Sequence, residues 1–211
     1  MSQVLTKIKD MSSDDILKQY YLENGTYDSL KIPVDIVSIC EKIGIKLGSI
    51  DFRNLEKIPP FSEHVKKKGS IIGAVYINNC DTQIIYSNRW NDDIKTMSET
   101  DKEDNLLRRQ RFTIAHELAH CCLHMNPQDK NHIEYRSDQD ESFNDNDERR
   151  ANIFAGELLI PTFAIKDILD LFEDAVSISY LANVFYVSKH VMKARLEHLM
   201  KVGEILPIKL I

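Results

Sequence analysis

Two histidines and a glutamate at helical spacing are the residues of this 211-residue chain best suited to metal chemistry. Residues 116–120 read His-Glu-Leu-Ala-His. On an α-helix, residues i and i+4 share a face, so His116 and His120 can present ring nitrogens to one ion at about 2.0–2.1 Å. Glu117 would then lie at the edge of the ion, as the base for a bound water. The spacing therefore predicts a metal centre that activates water for hydrolysis.

The sequence around these residues is apolar, which favours the metal interpretation. Residues 111–115 read Arg-Phe-Thr-Ile-Ala, and residues 121–123 read Cys-Cys-Leu. A buried helix that carries His, Glu and His on one side needs partners for those groups, because unpaired polar groups are costly to bury. The alternative is a pair of surface histidines without a ligand.

A catalytic zinc usually has three protein ligands and an open position for water, so a third ligand is needed. His124 is eight residues after His116, and a rise of about 1.5 Å per residue puts it about 12 Å along the axis, too far to share the ion. We expect His124 to pack nearby or to contact a ligand. A third histidine six residues after His120 is also excluded, because Asn126 is at that position.

Glu148 opens a second helical pattern and is the better third ligand. At about 100° per residue, Ala151, Asn152 and Ala155 fall within about 60° of Glu148, so small residues follow the carboxylate along one face. Small side chains would let the two helices approach closely, whereas Glu157 points about 180° away. Asn152 could accept a hydrogen bond from a ligand imidazole. The alternative for Glu148 is an acidic first-turn residue that the helix dipole favours.

The two motifs together resemble the ImmA/IrrE family of bacterial and phage zinc metallopeptidases. The resemblance is specific over residues 111–120 and 148–161 and extends more loosely from residue 33 to residue 202. It implies a gluzincin-like core, in which His116, His120 and Glu148 bind one Zn²⁺ and Glu117 is the catalytic base. Mn²⁺ or another divalent ion could take the place of zinc.

The resemblance also implies a substrate. Family members cleave a helix-turn-helix repressor of the XRE type, often encoded next door, and thereby derepress phage, mobile-element or stress genes. Some members belong to toxin–antitoxin-like pairs instead. Two departures from the family pattern are visible: Ala119 replaces a common Gly, and the stretch between His120 and Glu148 is long and acidic.

The elements that must position these residues form an α+β fold. We expect a small, mostly antiparallel sheet packed on the two zinc-ligand helices, followed by a helix-turn-helix-like segment. Strands are predicted at 45–52, 71–77 and 83–87, and exposed loops at 53–70 and 128–146. Helices are predicted, with Ser13, Ser177 and Ser188 as N-caps, at 14–22, 33–43, from 102 to about 125, 147–160, after Thr162, 178–186 and 189–202.

The chain is expected to be one domain over residues 1–203, with an N-terminal helical extension at 1–32, a helix-turn-helix-like pair at 177–203 and a tail at 204–211. No signal peptide or membrane span is apparent, so we expect a cytoplasmic protein. Its four cysteines form no C-x-x-C pair and are expected to be free.

DNA binding is the main alternative function. The segment 188–201 holds Lys189, Lys193, Arg195 and Lys201 against Glu197, a net charge of +3, so a phosphate contact is feasible. We favour a structural helical pair, because one +3 helix is a weak footprint for nucleic acid. A further alternative is a non-catalytic antitoxin-binding or regulatory partner that keeps zinc only as a structural element. The presence of Glu117 argues against it, because a structural site closes its coordination and needs no base.

The sequence leaves two features of the predicted metal centre undecided. The second donor to the oxyanion could be His132, Tyr135, Arg136 or a residue near Asn88 and Arg89. One strand of the hairpin at 71–87 could pair with an extended substrate, or both strands could simply belong to the core.

The formal charge of −6 is concentrated in one segment. Residues 129–148 hold eight acidic and two basic residues, which accounts for the charge of the whole chain. This segment could be a solvated insertion. As a second hypothesis, it steers a basic substrate toward the cleft or covers the cleft until it is displaced.

Overall fold

A computed structural model of the chain describes residues 2–27, 30–53, 71–78, 81–89, 98–128, 131–137, 146–172 and 175–211. The fold is α+β, as the sequence predicted. The α-helices of these residues are α1 (Gln3–Ile8), α2 (Ser13–Tyr20), α3 (Ile36–Ile43), α4 (Glu99–Leu123), α5 (Asn146–Leu159), α6 (Thr162–Leu169), α7 (Ile178–Val184) and α8 (Lys189–Lys201). The strands are β1 (Lys46–Ile50), β2 (Ile71–Asn78), β3 (Asp81–Ser87), β4 (Asn131–Ser137), β5 (Ala175–Val176) and β6 (Lys209–Leu210).

Side-chain caps set the starts of several helices and correct two predicted boundaries. Ser12, rather than Ser13, caps α2 by accepting from the backbone N–H of Asp15. The helix predicted from residue 33 begins at Ile36, because the Asp35 side chain caps it. Ser177 and Ser188 cap α7 and α8 as expected. Helix α1 lies within the predicted helical extension at 1–32, but no separate helix was predicted at its position.

The main sheet has the strand order β1-β3-β2-β4 and is mostly antiparallel, as predicted. Strand β1 runs parallel to β3, while β2 runs antiparallel to both β3 and β4. The prediction of a loop at 128–146 is wrong over Asn131–Ser137, which form β4. Both hairpin strands, β2 and β3, are interior strands. Neither therefore has a free edge for a substrate, and the edges of the described sheet are β1 and β4.

Helix α4 is central to the core. It is buried from Thr113 through Cys122 and packs against α5 and the sheet. Ala151 and Ala155 of α5 are fully buried, which allows the close helix approach that the sequence suggested. Leu5 and Ile16 of the N-terminal helices are buried in the same core cluster. The N-terminal segment therefore shares this core.

Two arginines, the half-buried Arg108 and the buried Arg195, hold the two C-terminal helices against the rest of the protein. Arg108 of α4 donates to the carbonyls of Ala182 and Val187, at 3.0 and 2.8 Å, and so holds the turn between α7 and α8. Arg195 of α8 is only 5% exposed and donates to Thr162 Oγ1 at 2.8 Å. Arg195 is thus withdrawn from the basic surface on which the DNA-binding alternative relied.

Several sequence features lie wholly or partly outside the described residues. The predicted loop at 53–70 is described only at Arg53, and the acidic segment only at 131–137 and 146–148. Cys40, Cys121 and Cys122 are buried free thiols. The tail at 204–211 contributes β6, which pairs in parallel with β5.

No helix among the described residues is long and apolar enough to cross a membrane.

Candidate metal centre

The middle of α4 carries the His-Glu-x-x-His residues in a buried setting. His116, Glu117 and His120 are 0%, 1% and 3% exposed. The Nε2 atoms of the two histidines are 2.9 Å apart, and their ring centroids are 4.7 Å apart. The helical spacing thus brings both rings to one point inside the protein.

Helix α5 brings Glu148 to the same point. One oxygen of its carboxylate is 3.1 Å from His116 Nε2, and the other is 3.1 Å from His120 Nε2. Potential ligand atoms of these three residues all lie within 4.8 Å of one another. A tetrahedral ion with bonds of 2.0–2.1 Å separates its ligand atoms by about 3.3 Å. The cluster therefore fits one divalent ion after a shift of a few tenths of an ångström.

Glu148 and His120 each stabilise the charged form of the other. Burial opposes ionisation of Glu148, but hydrogen bonds with His116 and His120 hold the pKa of this carboxyl well below its usual range. Burial lowers the pKa of His120, but the hydrogen bond with Glu148 and the negative charges of Glu117, Glu148 and Glu134 raise it overall. The site therefore favours positive charge, and a divalent cation would replace the proton of His120 because imidazole binds metals in its neutral form.

The second ring nitrogen of each histidine faces a different side chain. Asn152, one turn after Glu148, places Oδ1 3.0 Å from His116 Nδ1. On the other ring, His120 Nδ1 lies 3.9 Å from Glu134 Oε1 of β4. A ring nitrogen that does not bind the metal commonly donates to such an oxygen.

His124 and Glu157, the two residues that sequence reasoning set aside as ligands, make other contacts. His124 lies at the C-terminus of α4, and its Nδ1 is 3.4 Å from Asp147 Oδ1. It thereby links the end of α4 to the start of α5. Glu157 accepts from Ser13 Oγ at 2.9 Å and lies 3.4 Å from Arg195 Nη1. Neither residue belongs to the metal cluster.

Gly73 of β2 is a residue of the site that sequence reasoning missed. A Cβ atom added to Gly73 would be 2.5 Å from Thr113 Cγ2 and 2.8 Å from Glu117 Oε1. The glycine thus lets the strand backbone pass directly against the Glu117 carboxylate. The available signal was a glycine within a β-branched run, since such a glycine often marks a close approach of another group.

Replacing Gly73 by Ala is expected to destabilise the protein by about 1–3 kcal/mol, because the new methyl group overlaps two side chains of α4. Thermal unfolding of the metal-free protein would measure the loss. Gly156→Ala is the matched control, since its Cβ would be 3.7 Å from Arg195 Cδ, an ordinary contact. An unchanged melting temperature for Gly73→Ala would show that the strand has room to move.

The candidate donors to the oxyanion differ in their placement. Arg89 lies 3.4 Å from Asp51 and is engaged in an ion pair. His132 and Glu134 share one face of β4, and His132 Nε2 is 3.9 Å from Glu134 Oε2. Side chains alternate along a strand, so Tyr135 belongs to the opposite face. The side chain of Arg136 lies outside the described part of the chain.

A buried His-Glu-x-x-His helix joined by a glutamate of a second helix is the arrangement of a metallopeptidase centre. Residues 102–197 match the model of the Peptidase_M78 family, the IrrE N-terminal-like domain. This match contains Glu117, the two histidines, Glu148 and Asn152, and it confirms the resemblance to the ImmA/IrrE family. The family implies a metallopeptidase. No curated protein matches the chain.

Proposed function

We propose that the protein is a zinc-dependent endopeptidase. His116, His120 and Glu148 hold the ion, Glu117 is the general base, and Asn152 orients His116. One observation carries the proposal: three potential ligand atoms converge within 4.8 Å next to a glutamate that is 1% exposed. Two imidazoles and one carboxylate form a donor set known from catalytic zinc sites, with a position left for water.

The chemistry is divided between the ion and the chain. Bound zinc would supply Lewis acidity, which activates the attacking water and polarises the peptide carbonyl. Glu117 accepts a proton from that water and delivers it to the nitrogen of the leaving amine. The rigid helix backbone keeps Glu117 next to His116, and the close β2 backbone at Gly73 limits where its carboxylate can turn.

Asn152 sets the orientation of one ligand ring. Its side-chain oxygen accepts from His116 Nδ1–H, at 3.0 Å, which fixes the tautomer that leaves Nε2 free to bind the ion. The small residues Ala151 and Ala155 keep α5 close enough for this contact and for Glu148 to reach both rings.

We further propose that the substrate is a helix-turn-helix repressor of a phage, a mobile element or a stress response. The resemblance to the ImmA/IrrE family supports this class of substrate. Charge supports it as well. Residues 129–148 follow the second proposed ligand in the sequence, end in the third, and carry a net charge of −6. A DNA-binding repressor exposes clustered basic residues, which such a segment would attract to the cleft.

The direct test is to incubate the purified protein and zinc with the repressor encoded next to its gene. We expect one discrete cut, located by mass spectrometry, that a chelator stops and added zinc restores. An unrelated protein of similar size is the specificity control. If the repressor stays intact while an unstructured peptide is cut, the substrate proposal is wrong. If the zinc-loaded protein cuts neither, the peptidase proposal is wrong.

A further inference from the structure

We infer that Glu134 is a positioning residue for the ligand His120, through a hydrogen bond that its carboxylate accepts from His120 Nδ1–H. The inference rests on the proposed function, because it assigns the partner of one proposed zinc ligand. It gives strand β4, in a segment that the sequence predicted as a loop, a direct part in the metal centre.

The first observation concerns the hydrogen bonds of the two ring nitrogens of His120. His120 is 3% exposed, and its Nε2 atom points into the cluster with His116 and Glu148. Its Nδ1 atom is buried and has no hydrogen-bond partner among the described residues. When Nε2 binds a metal, Nδ1 carries the proton and needs an acceptor, since an unpaired buried donor is costly.

The second observation is the position of Glu134. Its Oε1 atom is 3.9 Å from His120 Nδ1, so a shift of about 1 Å gives a normal charge-assisted hydrogen bond. The Glu134 side chain is 40% exposed, which leaves it room for that movement. Pairing of β4 with β2 puts Glu134 opposite the fully buried Val75. The sheet register therefore holds Glu134 on the face that meets α4.

Glu134 is an orienting group rather than a ligand. It faces Nδ1 of His120, whereas Glu148 contacts Nε2, so the two carboxylates lie on different sides of the ring. A carboxylate acceptor fixes the ring tautomer and makes Nε2 a stronger donor to the metal. His116 instead has the neutral amide of Asn152 in this role. His116 would thus donate to a neutral amide, and His120 to a negatively charged carboxylate.

Zinc affinity, measured by competition with a chromophoric chelator, tests the inference. We expect Glu134→Ala to weaken binding by about 10–100-fold, as removal of such an outer partner usually does. Glu134→Gln should lose much less affinity than Glu134→Ala, because its amide oxygen can still accept although the negative charge is gone. Ile133→Ala, next to Glu134 on the opposite face of β4, is the control for damage to the strand and should not change the affinity. If Glu134→Ala does not fold, Glu134→Met, which keeps the length of the side chain, takes its place.

A second measurement separates orientation of the ring from general loss of structure. Long-range ¹H–¹⁵N spectra of the zinc-loaded wild type should show a protected Nδ1–H proton for His120, kept in Glu134→Gln and lost in Glu134→Ala. Wild-type affinity and a protected proton in Glu134→Ala would overturn the inference and leave the peptidase proposal intact. A wild-type protein that binds no zinc would instead overturn the proposed function, and this inference with it.

Discussion

Glu117→Gln is expected to reduce peptide hydrolysis by about 10²–10⁴-fold, the contribution typical of a general base, while zinc stays bound. Glutamine has the size of glutamate and fits the same space beside Gly73, but its amide cannot accept a proton from water. The loss should appear in kcat rather than in KM, because proton transfer belongs to the chemical step. Cleavage of the repressor, or of a fluorogenic peptide derived from its cut site, would measure it.

The control for Glu117→Gln is the same substitution on the same helix. Glu99 is in the first turn of α4, its side chain is 88% exposed, and it pairs with Lys102. Glu99→Gln should therefore cleave at the wild-type rate. Zinc content must be measured on both variants, since Glu117 is adjacent to the proposed ligand His116. A Glu117→Gln protein that keeps zinc and full activity would remove Glu117 from the mechanism.

The core of the candidate site could be predicted because its geometry is local. His116, Glu117 and His120 lie within two turns of one helix, where the spacing alone fixes which side chains share a face. The same reasoning along α5 put Asn152 on the face of Glu148 and Glu157 on the other side. Only the meeting of the two helices is non-local, and the small residues on α5 indicated it.

Gly73 and Glu134 could not be assigned to the site in this way, because both depend on how the sheet packs against α4. Glu134 belongs to a polar stretch flanked by acidic residues, which is typical of a loop. An edge strand often carries charged side chains, however, because they discourage pairing of its open backbone edge with another chain. The alternation of His132 and Glu134 with Ile133 and Tyr135 was the available strand signal.

The parallel pairing of β1 with β3 could not be predicted from neighbouring residues either. The hairpin β2–β3 is a short-range structure, and its two strands were predicted from β-branched runs and a turn-like composition. By contrast, β1 pairs with β3 on the side away from β2. This pairing depends on long-range packing, because α3 contacts both β1 and α4 and α4 contacts β3. Strand β1 thus pairs with one edge of the hairpin, and β4 pairs with the other.

Glu148→Ala is expected to weaken zinc binding by more than about 100-fold. Loss of an outer partner already costs about 10–100-fold, and Glu148 contacts both proposed ligand rings, His116 and His120, at 3.1 Å each. The remaining two histidines leave the ion with too few protein ligands for a catalytic zinc site. Elemental analysis after dialysis and a zinc titration by chelator competition would measure the loss, and hydrolysis should fall with it.

Asp147 provides the matched control for Glu148→Ala. It is the preceding residue on α5 and has the same charge, but its carboxylate contacts His124 rather than the ligand rings. Asp147→Ala should therefore bind zinc almost as tightly as the wild type. If both variants lose zinc equally, the effect lies in the start of α5 and not in a ligand. If Glu148→Ala keeps a full equivalent of zinc at wild-type affinity, the third ligand is another residue, although the two helices would still place the histidines together.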